Sequence, residues 1–380
     1  MGFRLDKFDV CIAGAGVIGL AVAFQLSEST RFKTKKIVVT EPEANFGHHI
    51  SSRNSEVVHA GIYYPTGSLK AKLCVRGKQL LYEHCRRYDV PFHMVGKFIV
   101  AQEVNAHRLA TLQGQAAKNG VSDLVWINDN RLKTEEPAIK ADYALFSPST
   151  GILDSHSFMQ SLLYTAENNG VMFARYTQIK AVARSTAGFM VDTCITDGKS
   201  EQRYVFQAEH FINCAGLDAH HLAKNIDGLS PTHIPSVHMC KGDYFNYSGP
   251  NPFNHLVYPI PEQNTQGLGV HSTMDMMGNV RFGPDSEYVD QLSYFVDPRK
   301  AKAFAQDIAD YFPEISSKKL QPAYAGIRPK LAAEGEPPAD FIIQHNDEHG
   351  IPGLVQLFGI DSPGLTASLA IGEEIAMALP

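Results

Sequence analysis

Six residues near the start, Gly14-Ala15-Gly16-Val17-Ile18-Gly19, set the tightest constraint on what this chain can fold into. They follow the apolar run FDVCIA at 8–13 and open an apolar stretch over about Val17–Ser27, with KIVVT at 36–40 next. The two short runs read as strands buried on both faces and the stretch between them as a helix, an order that argues for a parallel sheet. Each glycine then has its own duty. Gly14 allows the tight turn, Gly16 lets the backbone approach a pyrophosphate, and Gly19 lets the helix pack closely on the sheet. The helix start, with Val17 and Ile18, offers free N–H groups and a positive dipole end. Glu41 ends the second strand 22 residues beyond Gly19, where an acidic side chain hydrogen-bonds ribose hydroxyls. A plain glycine turn beside a surface glutamate would leave this alignment unexplained, so an adenine dinucleotide is expected.

At 380 residues the chain is too long for one simple core and fits two domains. With 44% hydrophobic and 19% charged residues, long disorder is not expected. The net charge of -6 and the absence of a basic block argue against a nucleic-acid partner. No run reaches the roughly 20 apolar residues of a membrane span. The first residues lead straight into a strand pattern, so no signal peptide is expected, and the last carry no lipidation motif. The six cysteines form no C-x-x-C pair and read as reduced thiols of a cytoplasmic protein. The histidines are scattered, with no H-E-x-x-H pattern, and no metal is expected.

Further along, helices are expected over about Leu69–Tyr88, 104–119, Ser155–Asn169 and 298–312. Strands are expected at 93–101, 171–184, 188–196, 202–213, 237–246, 256–260 and 267–271, with a turn through Ser147–Asp154. A capped helix opens at Ser362-Pro363-Gly364. A nicotinamide dehydrogenase would usually complete a contiguous Rossmann domain in its first half. Here sheet-like segments return only at FINCAGLDA (211–219) and LVQLFGIDSPGLT (354–366), which favours FAD. The fold class is α/β. A Rossmann-like FAD-binding domain comprises 1–89, 148–230 and 322–380. A second, α+β substrate domain with an antiparallel sheet comprises 90–147 and 231–321. Both are discontinuous.

Several blocks together resemble the glycine-oxidase and D-amino-acid-oxidase superfamily, within it the L-2-hydroxyglutarate dehydrogenase-like branch. They are SSRNS (51–55), VHAGIYYP (58–65), SLKAKLC (68–74), KFIVA (97–101), TGILD (150–154) and NCAGL (213–217). Later come GDY (242–244), YPIP (258–261), GLGVH (267–271) and GIRPK (326–330). The resemblance spans nearly the whole chain. It implies that Ser51, Ser52, Arg53 and Asn54 run along the flavin, and that backbone near Ile179 holds the adenine. It further implies that Ala215 and Gly216 pass close to the cofactor, with Gly326 and Ile327 beside it. The turn 359–366, with Pro363, Gly364, Leu365 and Thr366, is implied to bring helix-start N–H groups to the flavin pyrimidine edge. Arg53 also makes sense as a counter-charge to a pyrophosphate. Two departures stand out. Ser51–Glu56 replaces Thr-Gly-His-Asn-Ser-Gly, and Lys241 replaces the arginine of Arg-Gly-Asp-Tyr. His48 and His49 precede the flavin loop, but a covalent flavin bond is not expected.

The resemblance implies an FAD-dependent dehydrogenase of a 2-hydroxy acid, most simply L-2-hydroxyglutarate. Such a reaction takes hydride from the α-carbon and a proton from the hydroxyl, so the protein must supply a base and a carboxylate clamp. His59 is the first candidate base and His271 the second. Arg328 is the candidate clamp, because a guanidinium matches a carboxylate with two prongs. Tyr258, His271 and Lys241 are candidate substrate contacts, Lys241 as the second cation a dicarboxylate needs. Tyr63 and Tyr64 read as packing aromatics. Quinone or oxygen would take the electrons. The alternatives are an amine or amino-acid oxidase releasing hydrogen peroxide, and a flavin-binding protein without redox activity.

Overall fold

The protein is described by a computed structural model over residues 5–196, 198, 200–261 and 269–380, with Asp129 as backbone alone. Two large sheets organise it. In the first, five parallel strands lie in the order Leu354–Phe358, Glu201–Asn213, Lys7–Ala13, Ile37–Thr40 and Met172–Ala174. The first half of Glu201–Asn213 bends away to pair antiparallel with Gly188–Thr196, which in turn pairs with Thr177–Ser185. The second sheet is largely antiparallel and centres on His238–Tyr247 and Leu320–Lys330. Lys97–Ala101, Leu256–Pro259 and His271–Met274 cross its middle. A small third sheet joins Val57–Val58, Gly151–Leu153 and Phe92–His93.

The apolar first helix, Val17–Glu28, is buried over most of its length between the last helix, Gly364–Ala378, and Ser155–Asn168. Such an all-round apolar helix cannot face water and so belongs inside. The last helix also crosses Leu69–Arg87, and it does so at Gly77, where any side chain would overlap the Thr366 carbonyl. A second core lies between the second sheet and the helix Ala301–Ala309.

Several sequence expectations need redrawing. The segment 93–101 is two strands in different sheets, broken at Gly96 with φ +72. The segment 171–184 breaks likewise at Tyr176, φ +54. The turn Ser147–Asp154 contains the strand Gly151–Leu153. The helix expected over 298–312 spans only Ala301–Ala309 after a short 3-10 turn. The last helix starts at Gly364 with no capping side chain. The strand expected at 267–271 is instead His271–Met274, and Gly267 and Leu268 lie outside the described residues. Leu320–Lys330 hydrogen-bonds along the second sheet, so by sheet membership the return to the first falls after Lys330 rather than at 322. Among the described residues no helix is long and apolar enough to cross a membrane. No cluster of His, Cys, Asp and Glu there is arranged to hold a metal. All six cysteines are free thiols.

Candidate active site

A single cleft of about 1820 Å³ runs from the Gly14 turn, past the 47–55 loop, to the wall formed by the second sheet. Its first part is a backbone cradle. Gly14 has φ +101, and a Cβ there would stand 2.7 Å from the Cys214 carbonyl oxygen. At Gly16 a Cβ would meet the Ser51 hydroxyl at 2.9 Å. Gly19 faces away from the cleft, and any side chain on it would overlap the Gly14 carbonyl. Gly14 thus makes the turn and Gly19 the close packing that the spacing predicts, while at Gly16 the group that comes close is the Ser51 hydroxyl. The Glu41 carboxylate accepts the Ala15 N–H (2.8 Å) and the Glu43 N–H (3.1 Å), bracing the turn while lining the cleft. Burial outweighs these bonds and raises its pKa. The first helix begins without an acidic residue in its first turn, so its positive end is not neutralised from within.

The 47–55 loop is pinned to that helix by the Ser51 hydroxyl, which accepts the Val17 N–H at 2.9 Å. Asn54 braces the loop, donating to the Ser51 carbonyl (2.8 Å) and accepting the Glu56 N–H (2.8 Å). The Arg53 guanidinium lies 4.1 Å from the centre of the Tyr294 ring and forms no ion pair with a carboxylate among the described residues. Gly326 is required by the same loop, since a Cβ there would overlap the Arg53 carbonyl. Ile179 lines the cleft beside a bulge, where the ladder shifts register between Ile179 and Ala181. Ala215 and Gly216 (φ +59) follow the Cys214 carbonyl that abuts Gly14. Ile18, Ile327, Pro363, Gly364 and Leu365 also line the cleft. Glycine-walled backbone, an open helix start and an unpaired arginine together suit a long phosphate-bridged dinucleotide.

Besides Gly19, two expected cofactor residues sit off the cleft wall. Ser52 is exposed, its hydroxyl bonded weakly to the His49 carbonyl. Thr366 is buried behind the wall, accepting the His59 N–H (3.0 Å) and donating to the Val57 carbonyl.

Glu56 occupies the position where the resembling family has glycine, and it holds φ +56. Its carboxylate accepts both the Ser155 N–H (3.1 Å) and the Ser155 hydroxyl (2.7 Å) at the start of Ser155–Asn168. Glu56→Ala keeps the unfavourable φ and loses both bonds, so we expect it to cost about 1–3 kcal/mol. Glu56→Gly relieves backbone strain of about 1 kcal/mol and costs correspondingly less. Urea midpoints of the two variants check the order.

The far end of the cleft holds the chemical groups. His59 and His271 are both buried, both line the cleft, and both have pKa values pushed down to about 3, by burial first and then by Lys97. His271 Nδ1 lies 2.8 Å from the Gly269 carbonyl, which can only accept. Nδ1 is therefore the donor, and Nε2 carries the free lone pair. His59 Nε2 is 3.3 Å from the Ser362 hydroxyl, and its Nδ1 is enclosed without a partner among the described residues. Arg328 donates from Nε to the Cys240 carbonyl, and from Nη2 to the carbonyls of Lys241 and Asp285 and the Ser286 hydroxyl. It has no carboxylate partner among the described residues, which removes the salt-bridge explanation for its presence.

Tyr258 and Lys241 are not on the cleft wall. Tyr258 is fully buried and stacks on His271 at 3.8 Å between ring centroids. Lys241 turns away to pair with Asp243 (3.1 Å) and the Phe295 carbonyl. Tyr63 and Tyr64, read as packing residues, do line the cleft, as do Lys70 and Lys330. These lysines clasp Asp361 at 2.9 and 2.8 Å, and despite burial they hold its carboxyl down at about 2. The clasp fixes the turn before the last helix. The sequence reading assigned nothing to Lys97, whose side chain is wholly buried behind His59, His271 and Tyr63. A lysine leading the apolar run FIVA was its only sequence signal.

The chain is 40% identical over 407 aligned residues to a protein of Arabidopsis thaliana named L-2-hydroxyglutarate dehydrogenase, mitochondrial, covering 98% of this chain and 83% of the relative. It is 26% identical to the L-2-hydroxyglutarate dehydrogenase of Escherichia coli, over 97% of this chain and 92% of that one. Among solved structures, L-α-glycerophosphate oxidase from Mycoplasma pneumoniae with FAD bound superposes with a TM-score of 0.84 at 23% identity, covering 99% and 96% of the two chains. Glycine oxidase from Geobacillus kaustophilus gives 0.77 at 20% identity, covering 98% and 94%. The sequence also matches one family from residue 9 to residue 378. With a glycine-rich turn, a helix start and two buried imidazoles along one cleft, the chain belongs to the FAD dependent oxidoreductase (DAO) family and is an FAD-binding enzyme.

Proposed function

We propose that the enzyme oxidises a small 2-hydroxy acid, L-2-hydroxyglutarate in the first instance, to the 2-oxo acid. The observation that carries this reading is the convergence of an unpaired guanidinium, Arg328, and two neutral imidazoles, His59 and His271, on the end of one cleft. Bound FAD supplies the hydride acceptor. The protein's share is to fix the carboxylate and remove the hydroxyl proton. Arg328 is preset by its carbonyl contacts and suits the first task. The fixed tautomer of His271 favours it over His59 as the base, and His59, next to the last helix, is then suited to orient the hydroxyl. The names of the relatives support the substrate class. Quinone and oxygen remain the two candidate acceptors, each reached without a membrane span in the described residues.

The test is anaerobic bleaching of the flavin by a panel of 2-hydroxy acids, amino acids and N-methyl amino acids. Bleaching by L-2-hydroxyglutarate is the expected result. Reduction by amines alone, or by nothing in the panel, overturns the reading. A pH profile follows from the same site. A base works only unprotonated, and burial has moved both imidazoles from about 6.5 to about 3. We therefore expect kcat/KM to show no acid-side fall near pH 6.5 and to hold down to at least pH 5.

A further inference from the structure

Lys97 is the first residue of the strand Lys97–Ala101, and its side chain has no exposed surface. Its ammonium finds no hydrogen-bond acceptor and no carboxylate among the described residues. It lies between two aromatic faces, 4.6 Å from the centre of the Tyr63 ring and 4.5 Å from that of Tyr258. Tyr63, His59 and His271 separate it from the cleft, and Tyr258 carries the stacked His271 ring.

Among the described residues its titratable neighbours are held neutral. On the loop after Val57–Val58 stand His59, depressed to about 3, and Tyr63, raised by burial. Leu69–Arg87 contributes the Cys74 thiol, pushed up to about 12 by burial. Tyr258 on Leu256–Pro259 is likewise raised, and His271 on His271–Met274 is depressed. The neighbouring strand Tyr143–Ser147 brings only Ser147 opposite Lys97, and its hydroxyl is engaged with Thr150. Among the described residues this cation has the quadrupoles of two rings for compensation and no counter-ion. Without a counter-ion its pKa falls to about 7, burial being the cause.

We propose that Lys97 is a positioning residue for the oxidation above: a buried ammonium behind the His59–His271 wall whose missing counter-ion is the bound substrate's own negative charge. The proposal rests on the 2-hydroxy-acid reading. Its charge acts through the wall on two groups. It attracts an anionic acid into the end of the cleft, and it adds to burial in keeping both imidazoles unprotonated. An anion in place stabilises the charged lysine, so substrate binding near neutral pH draws in a proton. The sign follows directly. The charged form prevails below the free enzyme's pKa, so affinity for the anion is full on the acid side and declines as pH rises through about 7.

The experiment uses holoenzyme and two variants, Lys97→Met, near in size but neutral, and Lys97→Arg, which keeps its charge. The first readout is the pH profile of kcat/KM for anaerobic flavin reduction by L-2-hydroxyglutarate. The second is proton uptake when glutarate, which lacks the hydroxyl, binds at pH 7, measured by calorimetry in buffers of different ionisation enthalpy. Wild type should lose kcat/KM above pH 7 and take up a fraction of a proton. Lys97→Met should show roughly tenfold lower kcat/KM at pH 6, the change of about one pKa unit of charge interaction. It should also show no alkaline fall, no proton uptake, and an acid-side edge moved to higher pH. Lys97→Arg should recover the pH 6 value and stay level through pH 9. If Lys97→Met keeps the wild-type alkaline fall and proton uptake, the role of Lys97 is overturned while the substrate reading stands. If no 2-hydroxy acid reduces the wild-type flavin, both fall together.

Discussion

Gly19→Ala is expected to yield a protein with most of its flavin lost, although Gly19 touches no part of the cleft. Its Cβ would overlap the Gly14 carbonyl, so either the first helix or the glycine turn must shift. The helix is clamped by the last helix and by Ser155–Asn168, which leaves the turn to yield. Overpacking of this kind costs about 1–3 kcal/mol or more. Displaced onto the turn, that cost lowers flavin affinity roughly 10- to 100-fold. Flavin absorbance per chain after gel filtration reads the effect. Gly114→Ala is the control: it lies in the helix Ala106–Lys118 with nothing within 4 Å of the added carbon. It should keep its flavin and gain about 0.5–1 kcal/mol of stability. A fully yellow Gly19→Ala protein would show that the turn tolerates movement and that the spacing argument is misplaced.

The second large effect belongs to Arg328. Arg328→Leu should lower kcat/KM for L-2-hydroxyglutarate by about 10²–10³-fold, the loss of charged hydrogen bonds worth roughly 3–4 kcal/mol in total. Flavin content should stay near wild type, because the guanidinium holds carbonyls of the second sheet rather than the dinucleotide cradle. Arg328→Lys separates charge from shape. An ammonium keeps the positive charge but lacks the planar fork, so a deficit of about tenfold or more should persist. If kcat/KM of Arg328→Leu stays within about threefold of wild type, the carboxylate is held elsewhere, with Lys70 and Lys330 the next residues to examine.

How much of this was legible beforehand follows from how local each signal is. The glycine turn and Glu41 could be read because positive φ, close backbone approach and helix packing are settled within some thirty residues. The two splits, at Gly96 and Tyr176, were missed because one left-handed residue inside an apolar stretch redirects the chain without changing its hydropathy. Tyr258, Lys241 and Thr366 lie in stretches that do reach the site, but side-chain direction alternates along the strands that carry the first two and turns with the helix that carries Thr366. Each of the three faces away from the cleft. Lys97 was invisible for the opposite reason. A lysine at a strand's end ordinarily reaches for water. Its enclosure needs partners from the 59–63 loop, Leu69–Arg87, Leu256–Pro259 and His271–Met274 together.

The order of the parallel strands has a bearing on how the living cell must make this enzyme. Lys7–Ala13 is made well before one of its two neighbours, Glu201–Asn213, and before the strand beyond that, Leu354–Phe358. The helix that clamps the glycine turn is Gly364–Ala378. Such distant pairings close slowly and leave apolar faces bare in the meantime. Flavin loading therefore waits until the segment through Ala378 has been made, and a chain that stops short of it is a substrate for chaperones and proteases rather than a partly working enzyme. Flavin supply then sets not only how much of the enzyme is active but how much of it survives, since bound cofactor stabilises only the finished fold.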